Sequence, residues 1–274
     1  TVVINTFNSE DIINQCLNSI NSNVRTIIIE NSNNLSFKKK IENKYSNINC
    51  YLTGLNLGYA KGNNFGLSKV QTEYALVLNP DTTLQKDALD RLLITAKKYT
   101  EFSIIGPAKQ NEYSQIDLNK DEDEVFQVKS LKGFAMFFNM KHFKEIGFFD
   151  ENFFIYLEET DLCRRLQKEN KKIYLDKKVI INHIGGSSHN ENINFEMELS
   201  RNWHWMWSIF YFNKKHFGYC NSLFKVSGKF FSAFIKSILY TLTLNRVKRK
   251  IYYQRLSGLF NSIIGKDSWY RPNL

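Results

Sequence analysis

Tyr74-Ala75-Leu76-Val77-Leu78-Asn79-Pro80-Asp81-Thr82-Thr83 decides how the rest of the chain is read. Its apolar opening reads as a buried strand of a parallel sheet. Proline has no N–H for a sheet ladder, so Pro80 ends the strand and holds Asn79 extended. Asp81 is thereby left at the carboxyl edge of the sheet, where open α/β folds bind their ligands. A carboxylate fixed there suits a hard divalent cation that also holds phosphates. The plain alternative is a strand followed by a helix-capping Asp or Thr.

Outward from this stretch, strands alternate with helices. Thr1-Val2-Val3-Ile4 is an apolar strand, followed by the polar loop Asn5 to Ser9 and a helix capped by Ser9 with Ile12, Ile13, Cys16, Leu17 and Ile20 at helical spacing. Thr26 to Ile29 is a second strand ending in Glu30-Asn31-Ser32; a lysine-rich helix from about Ser36 to Tyr45 leads to a third, Ile48 to Leu52. Such alternation predicts right-handed crossovers and a parallel sheet. Beyond Asp81, a helix over about Gln85 to Tyr99 carries Ala88, Leu89, Leu92, Leu93 and Ala96 on its apolar face, and Phe102 to Gly106 is another strand. Asn111 to Glu124, polar and acidic, reads as a surface excursion. Leu131 to Phe138, Lys172 to Leu175 and Val179 to Asn182 return to sheet character.

Three stretches carry candidate chemistry. Asn56 to Gly66 holds three glycines and three asparagines and reads as a loop whose backbone approaches a ligand before a helix starts. Glu158-Glu159-Thr160-Asp161 sets three carboxylates within four residues, which repel and must be solvated, paired or bound. They open a helix ending near Asn170, whose dipole favours anions there, and Asp161 can pair with Arg164 or Arg165. Phe153, Phe154 and Tyr156 give these acids an apolar wall, beside which a carboxylate becomes a useful base. The alternative is a charged helix start with internal ion pairs. His183-Ile184-Gly185-Gly186-Ser187-Ser188 follows a strand; it reads as an ordinary polar loop, or, given its glycines, as one that folds over a ligand.

Composition sets the outer bounds. The chain has 274 residues, 43% of them hydrophobic, enough for one full core and an appendage. Cys16, Cys50, Cys163 and Cys220 lie far apart without metal-ligand spacing, which suits a reduced, cytosolic compartment. No signal peptide is visible, Thr1 leaves room for a short leader, and no run reaches the ~18 apolar residues of a membrane span.

Taken in order, these motifs resemble the inverting family 2 glycosyltransferases of the GT-A fold, most closely a bacterial rhamnosyltransferase-like branch. The resemblance covers roughly residues 1 to 215 and is carried by Val2 to Asn8, Ile29 to Ser32, Asn56 to Ala60 with Asn63 to Gly66, Leu78 to Asp81, Gly147 to Glu151 with Phe154 and Tyr156, Glu158 to Arg165, and His183 to Ser187. It implies an α/β fold, Rossmann-like with a mostly parallel central sheet, over residues 1–200 and a helical extension over 201–274. It further implies that Asp81 and His183 hold Mg²⁺ or Mn²⁺ on the donor diphosphate, a set in which imidazole suits Mn²⁺. Thr6, Phe7, Asn8 and Glu30 match the nucleotide-base pocket, with Glu30 where the family usually has Asp. Asn56, Gly58, Lys61, Asn64, Asn79 and Gly133 fall to the donor as well. Glu159 matches the catalytic base, again Glu for the commoner Asp, which leaves Glu158 as the alternative. The implied reaction is direct displacement from a nucleoside diphosphate sugar, dTDP-rhamnose ahead of UDP-hexose or UDP-N-acetylhexosamine, onto a glycan or lipid-linked hydroxyl in surface-glycan (O-antigen type) synthesis.

Lys214 to Arg255 carries ten Lys or Arg and no Asp or Glu, matching the +10 net charge of the whole chain. Ahead of it, Trp203, Trp205, Met206, Trp207 and Ile209 to Phe212 form an aromatic block suited to a membrane interface or a docking groove. Were residues 223–244 helical, Lys225, Lys229, Ser232 and Lys236 would form one stripe, with Phe224, Phe230, Phe231, Phe234, Ile238 and Leu242 over much of the rest. That pattern fits a helix lying on an anionic membrane at the inner face of the cell; a helical lid or a homodimer contact is the alternative. Two rival functions stand beside the main one: transfer to a polyprenyl phosphate, and a non-catalytic basic module for membrane or nucleic acid. The acids gathered at the sheet edge speak against nucleic acid as a partner.

Overall fold

The computed structural model describes residues 1–107, 124–184 and 193–272. The expected acidic excursion and the glycines after His183 lie outside these residues. The chain divides into two compact units: Thr1–Leu57, Lys61–Asp150 and Glu159–Asn190 form the first, and Gly58–Ala60, Glu151–Glu158 and Glu191–Leu274 the second.

In the first unit, β1 (Val2–Thr6), β2 (Thr26–Glu30), β3 (Ile48–Leu52) and β4 (Tyr74–Leu78) are four of eight strands in one sheet, with β6 (Phe102–Pro107), β7 (Val125–Gln127), β8 (Ala135–Asn139) and β9 (Lys172–Asp176). The order is β3-β2-β1-β4-β8-β6-β9-β7. β1–β2, β2–β3, β1–β4 and β6–β9 run parallel, whereas β8 is antiparallel to both β4 and β6 and β7 antiparallel to β9. The apolar runs of β1, β2 and β4 are buried because helices cover the sheet. Ile13, Cys16 and Leu17 of α1 (Ile13–Asn18) and Phe37 and Ile41 of α2 (Leu35–Lys44) pack on Val2, Ile4, Ile28 and Leu76.

Several expectations are corrected here. The residue at the N-cap of α1 is Ile12 rather than Ser9; the Ser9 carbonyl accepts from Ile12 and Ile13 N–H, and its hydroxyl bonds to the backbone of Phe7. The glycine- and asparagine-rich stretch is no open loop but α3 (Gly58–Leu67). Its glycines serve packing: a Cβ on Gly62 would lie 2.6 Å from the Asn5 amide. In α4 (Ala88–Lys98) the buried residues are Ala88, Leu92, Thr95 and Ala96, while Leu93 is 41% exposed. Leu93 sits well round the helix from that face at about 100° per residue, and Arg91 turns toward Asp176 of β9 instead.

The second unit is built on α7 (Asn194–Phe217), α8 (Tyr219–Leu242) and α9 (Arg246–Ile263). Much of its aromatic block forms a core, which corrects the interface reading for those residues, while Trp205 stays 36% exposed. Trp203, Met206, Trp207 and Phe210 are at most 3% exposed. Their indole donors are satisfied inside the unit, Trp203 by Ser257 Oγ at 3.1 Å and Trp207 by the Lys266 carbonyl at 2.9 Å. α8 is apolar on two opposite faces. Val226 and Ala233 are buried, while Phe224, Phe231, Ile235, Ile238 and Leu242 form an exposed stripe.

Candidate functional site

The Asn79-Pro80-Asp81-Thr82 segment is a turn closed by Thr82 N–H donating to the Asn79 carbonyl at 3.3 Å, with the Thr82 hydroxyl on the same oxygen at 2.7 Å. Proline suits the second position of such a turn. Asn79 N–H donates to the Phe134 carbonyl at 2.9 Å, which anchors the strand end. Directly after Asp81, β5 (Thr82–Leu84) pairs antiparallel with β10 (Ile181–His183), His183 opposite Thr82. This small ribbon brings His183 Nε2 to 3.4 Å from Asp81 Oδ1. The Asp81 side chain is 0% exposed and that of His183 18%. Phe134 stacks on the imidazole with 4.8 Å between centroids and 8° between planes, fixing its orientation.

Whether this pair suits a divalent ion can be judged from its donors. One carboxylate oxygen and one imidazole nitrogen are acceptable to Mn²⁺ and leave most positions open for phosphate and water. Adjacent ligands of an octahedral ion with bonds of about 2.1 Å stand about 3 Å apart, close to the observed separation. The residues fit the ion. Among the described residues no group of three or more His, Cys, Asp or Glu side chains is clustered for a metal, so a ligand such as a diphosphate would have to complete the shell.

The loops after β1 and β2 are tied together. Asn5 Oδ1 accepts from the Asn31 amide, and Asn31 Oδ1 accepts from the Thr53 hydroxyl and Leu57 N–H, each at 3.2 Å. Glu30, expected at the base pocket, is 1% exposed. Its carboxylate accepts from Ser32 N–H at 2.9 Å, the Ser32 hydroxyl and Asn34 N–H at 2.6 Å. The longer Glu side chain thus folds back to brace its own loop. Thr6 is buried too, its hydroxyl on the Ile29 carbonyl at 3.1 Å. Phe7 and Asn8 are half-buried, and Asn8 takes φ 49, which Asn tolerates better than most residues.

Of the remaining donor-side residues, Lys61 is exposed on α3, and Asn56 and Gly133 are half-buried. Asn64 is a clamp: its amide donates to the Phe149 carbonyl at 2.8 Å and accepts from Phe149 N–H at 3.0 Å. Gly58, in the second unit, has φ +75, and a Cβ there would lie 2.4 Å from Phe154. A side chain there would collide with Phe154, so packing already calls for glycine at this position.

The acids lie on α6 (Glu158–Lys168). Asp161, fully buried, accepts from Arg165 Nε at 2.9 Å, and the same guanidinium donates to the carbonyls of Ile146 at 2.9 Å and of Phe148. Glu159 is partly buried, and desolvation raises its carboxyl pKa. Hydrogen bonds from its own N–H and from Thr160, whose hydroxyl donates at 3.2 Å, oppose the rise, as does the Lys132 charge. Lys132 and Phe134, two residues apart, therefore link Glu159 and His183 to one segment. Glu158, in the second unit, is 4% exposed. Just before it Tyr156 and Leu157 hold φ 76 and 68, left-handed values that bulky residues adopt only when their surroundings impose them. This strain had no signal in the sequence beyond the tyrosine itself, and of the ribbon only β10 had one, overlapping the strand read at Val179 to Asn182, while its pairing with β5 had none.

A mostly parallel sheet covered by helices, with a carboxylate at the carboxyl edge of β4, has the GT-A type of fold. Residues 1–159 match the family described as Glycosyl transferase family 2, and the chain belongs to that family. It is 27% identical to the low-salt glycan biosynthesis hexosyltransferase Agl10 of Haloferax volcanii over a 197-residue alignment covering 63% of each chain. It is 22% identical to the rhamnosyltransferase WbbL of Escherichia coli K12 over 239 residues, 71% of this chain and 85% of that one. The mannosyltransferase PcManGT from Pyrobaculum calidifontis, solved with GDP-Man and Mn²⁺, superposes with a TM-score of 0.61 at 10% identity, over 97% of this chain and 87% of that one. The chain spans less than two thirds of the hexosyltransferase's length. Membership of the family decides for an enzyme over a non-catalytic basic module.

Proposed function

We propose that this chain moves a sugar from a nucleoside diphosphate donor to an acceptor hydroxyl with inversion at the anomeric carbon. The observation that carries this reading is the Asp81–His183 pair, 3.4 Å apart at the sheet edge. Asp81 and His183 would hold Mg²⁺ or Mn²⁺, and a bound ion supplies neutralisation of the leaving diphosphate. Glu159 is the base. Raised by burial, its carboxylate binds a proton more strongly than an ordinary one, and the Thr160 hydroxyl orients it. It takes the acceptor proton as the acceptor oxygen bonds to the anomeric carbon; the bond from that carbon to the diphosphate oxygen breaks, and its electron pair leaves with the phosphate. Glu158 is the alternative base.

On the donor side, Phe7 and Asn8 contact the base and Lys61 the phosphates, with Asn56, Asn79 and Gly133 lining the approach. Glu30, Thr6 and Asn64 hold those loops in shape. dTDP-rhamnose is the favoured donor, supported by the likeness to a rhamnosyltransferase; UDP-hexose and UDP-N-acetylhexosamine follow. The acceptor is a glycan or lipid-linked glycan of the cell surface. Among the described residues no helix is long and apolar enough to cross a membrane. The exposed stripe of α8, with Lys225, Lys229 and Lys236 along one flank, suits peripheral attachment to an anionic inner membrane surface. A panel of nucleotide sugars, assayed for Mn²⁺-dependent hydrolysis, tests the reading: turnover lost in Asp81→Ala supports it, and no turnover with any donor contradicts it.

A further inference from the structure

The helical unit contains a cavity of about 450 Å³ bordered by α7, α8 and α9, within the range of small-ligand pockets. Arg249 and Lys250, in the second turn of α9, line it with Tyr253. Ser237 and Thr241, one turn apart on α8, line it, the Thr241 hydroxyl donating to the Ser237 carbonyl at 2.8 Å, and Glu196 of α7 borders it too. The ion pairs among the described residues include neither of these cations nor Glu196. The surrounding cations are engaged otherwise: Lys236 and Lys248 lie over tyrosine rings, and Arg255 donates to Asn202 at 3.1 Å. Lys250 has only the distant edge of such a contact, 5.8 Å from the Phe195 centroid.

Opposite charges that border one space without pairing suit a ligand that engages both. A phosphate can accept from the guanidinium, the ammonium and the Ser237 hydroxyl, and a hydroxyl on the same ligand can donate to Glu196 or to the Thr241 oxygen. Ile238 and Leu242 each follow a cavity-lining residue of α8 by one position and belong to the exposed stripe, 46% and 76% exposed. An acyl chain leaving the cavity would therefore meet apolar surface at once.

We propose that this cavity binds a hydroxyl-bearing phosphate ester, the source being an anionic lipid headgroup or a soluble phosphorylated polyol. Binding at this site is independent of the transferase reading, and its lipid form rests on the membrane reading above. The test uses the full chain with phosphatidylcholine vesicles, with and without phosphatidylglycerol, and separately with glycerol 1-phosphate in a thermal-shift titration. Three pairs of substitutions are compared: Arg249→Ala with Lys250→Ala, the charge-neutral Ser237→Ala with Thr241→Val, and Lys225→Ala with Lys229→Ala outside the cavity. For a lipid headgroup, both cavity pairs weaken phosphatidylglycerol binding about tenfold beyond the outside pair, the scale of losing charge-assisted hydrogen bonds. For a soluble ester, glycerol 1-phosphate stabilises the wild type and neither cavity pair, whatever the vesicles do. The proposal is overturned if glycerol 1-phosphate gives no shift and the charge-neutral pair binds vesicles like the wild type. Wild type that ignores the vesicles ends the membrane reading alone, and the glycerol 1-phosphate arm then decides the cavity.

Discussion

Phe134 lies flat against the imidazole of His183, 8° from parallel, while His183 Nε2 stands 3.4 Å from Asp81 Oδ1. The ring can therefore turn little without losing the stack. Phe134→Leu keeps an apolar side chain but removes that plane. It should raise the Mn²⁺ concentration needed for half-maximal turnover about tenfold, as loss of a ligand's supporting contact does, with little change in kcat at saturating Mn²⁺. An unchanged Mn²⁺ requirement would mean the stack does not orient His183.

Glu159 titrates above the ordinary carboxylate value of 4.5 because burial penalises its charge. The rate should fall on the acid side with an apparent pKa above that value, as the base becomes protonated. Thr160→Val removes a hydrogen bond that opposes the rise and should move this limb to higher pH. A pH profile of kcat/KM in which the limb does not move contradicts the assignment.

The same shift has a consequence for stability. A carboxyl raised on folding contributes stability that is present below its unfolded pKa and lost as pH rises through the folded one. At neutral pH Glu159 is thus a cost. Glu159→Gln should melt no lower than the wild type there while transfer drops about 10²- to 10⁴-fold. Normal transfer by Glu159→Gln with loss in Glu158→Gln would move the base by one residue.

Arg165 joins Asp161 to the turn at Ile146 to Phe148. Arg165→Met leaves Asp161 buried without its cation, a change that costs about 3–5 kcal/mol. The expected fall in Tm is roughly 6–20 °C, readable by calorimetry. A shift within a degree or two would assign the pair no part in holding that turn.

Much of the first unit can be read from residue pattern, and the failures have physical reasons. β1 to β4 announce themselves as short apolar runs, and the i,i+4 spacing of Asp161 and Arg165 anticipates their bond. The position of β8 between β4 and β6 does not show, because strand neighbours far apart in sequence leave no local mark. β5 and β10, three residues each, are too short to display a period, so His183 could be linked to Asp81 only through the family resemblance. Gly62 invites the wrong reading for a different reason: a glycine in a helix against a side chain and a glycine in a loop are the same letter. The bonds of Glu30 to Ser32 and Asn34 leave no mark in the sequence, because they depend on the turn after β2. Trp203 and Trp207 mislead because amphipathic rings suit a buried core with hydrogen-bond partners as well as an interface.

Calorimetric titration of the wild type and Asp81→Asn with dTDP-rhamnose and UDP-sugars, each with and without Mn²⁺, tests the site most directly. The wild type should bind one of these donors strongly only with Mn²⁺, and Asp81→Asn should lose about 10- to 100-fold in affinity with the ion present. Equal, Mn²⁺-indifferent binding by the two proteins would contradict a cation held at Asp81.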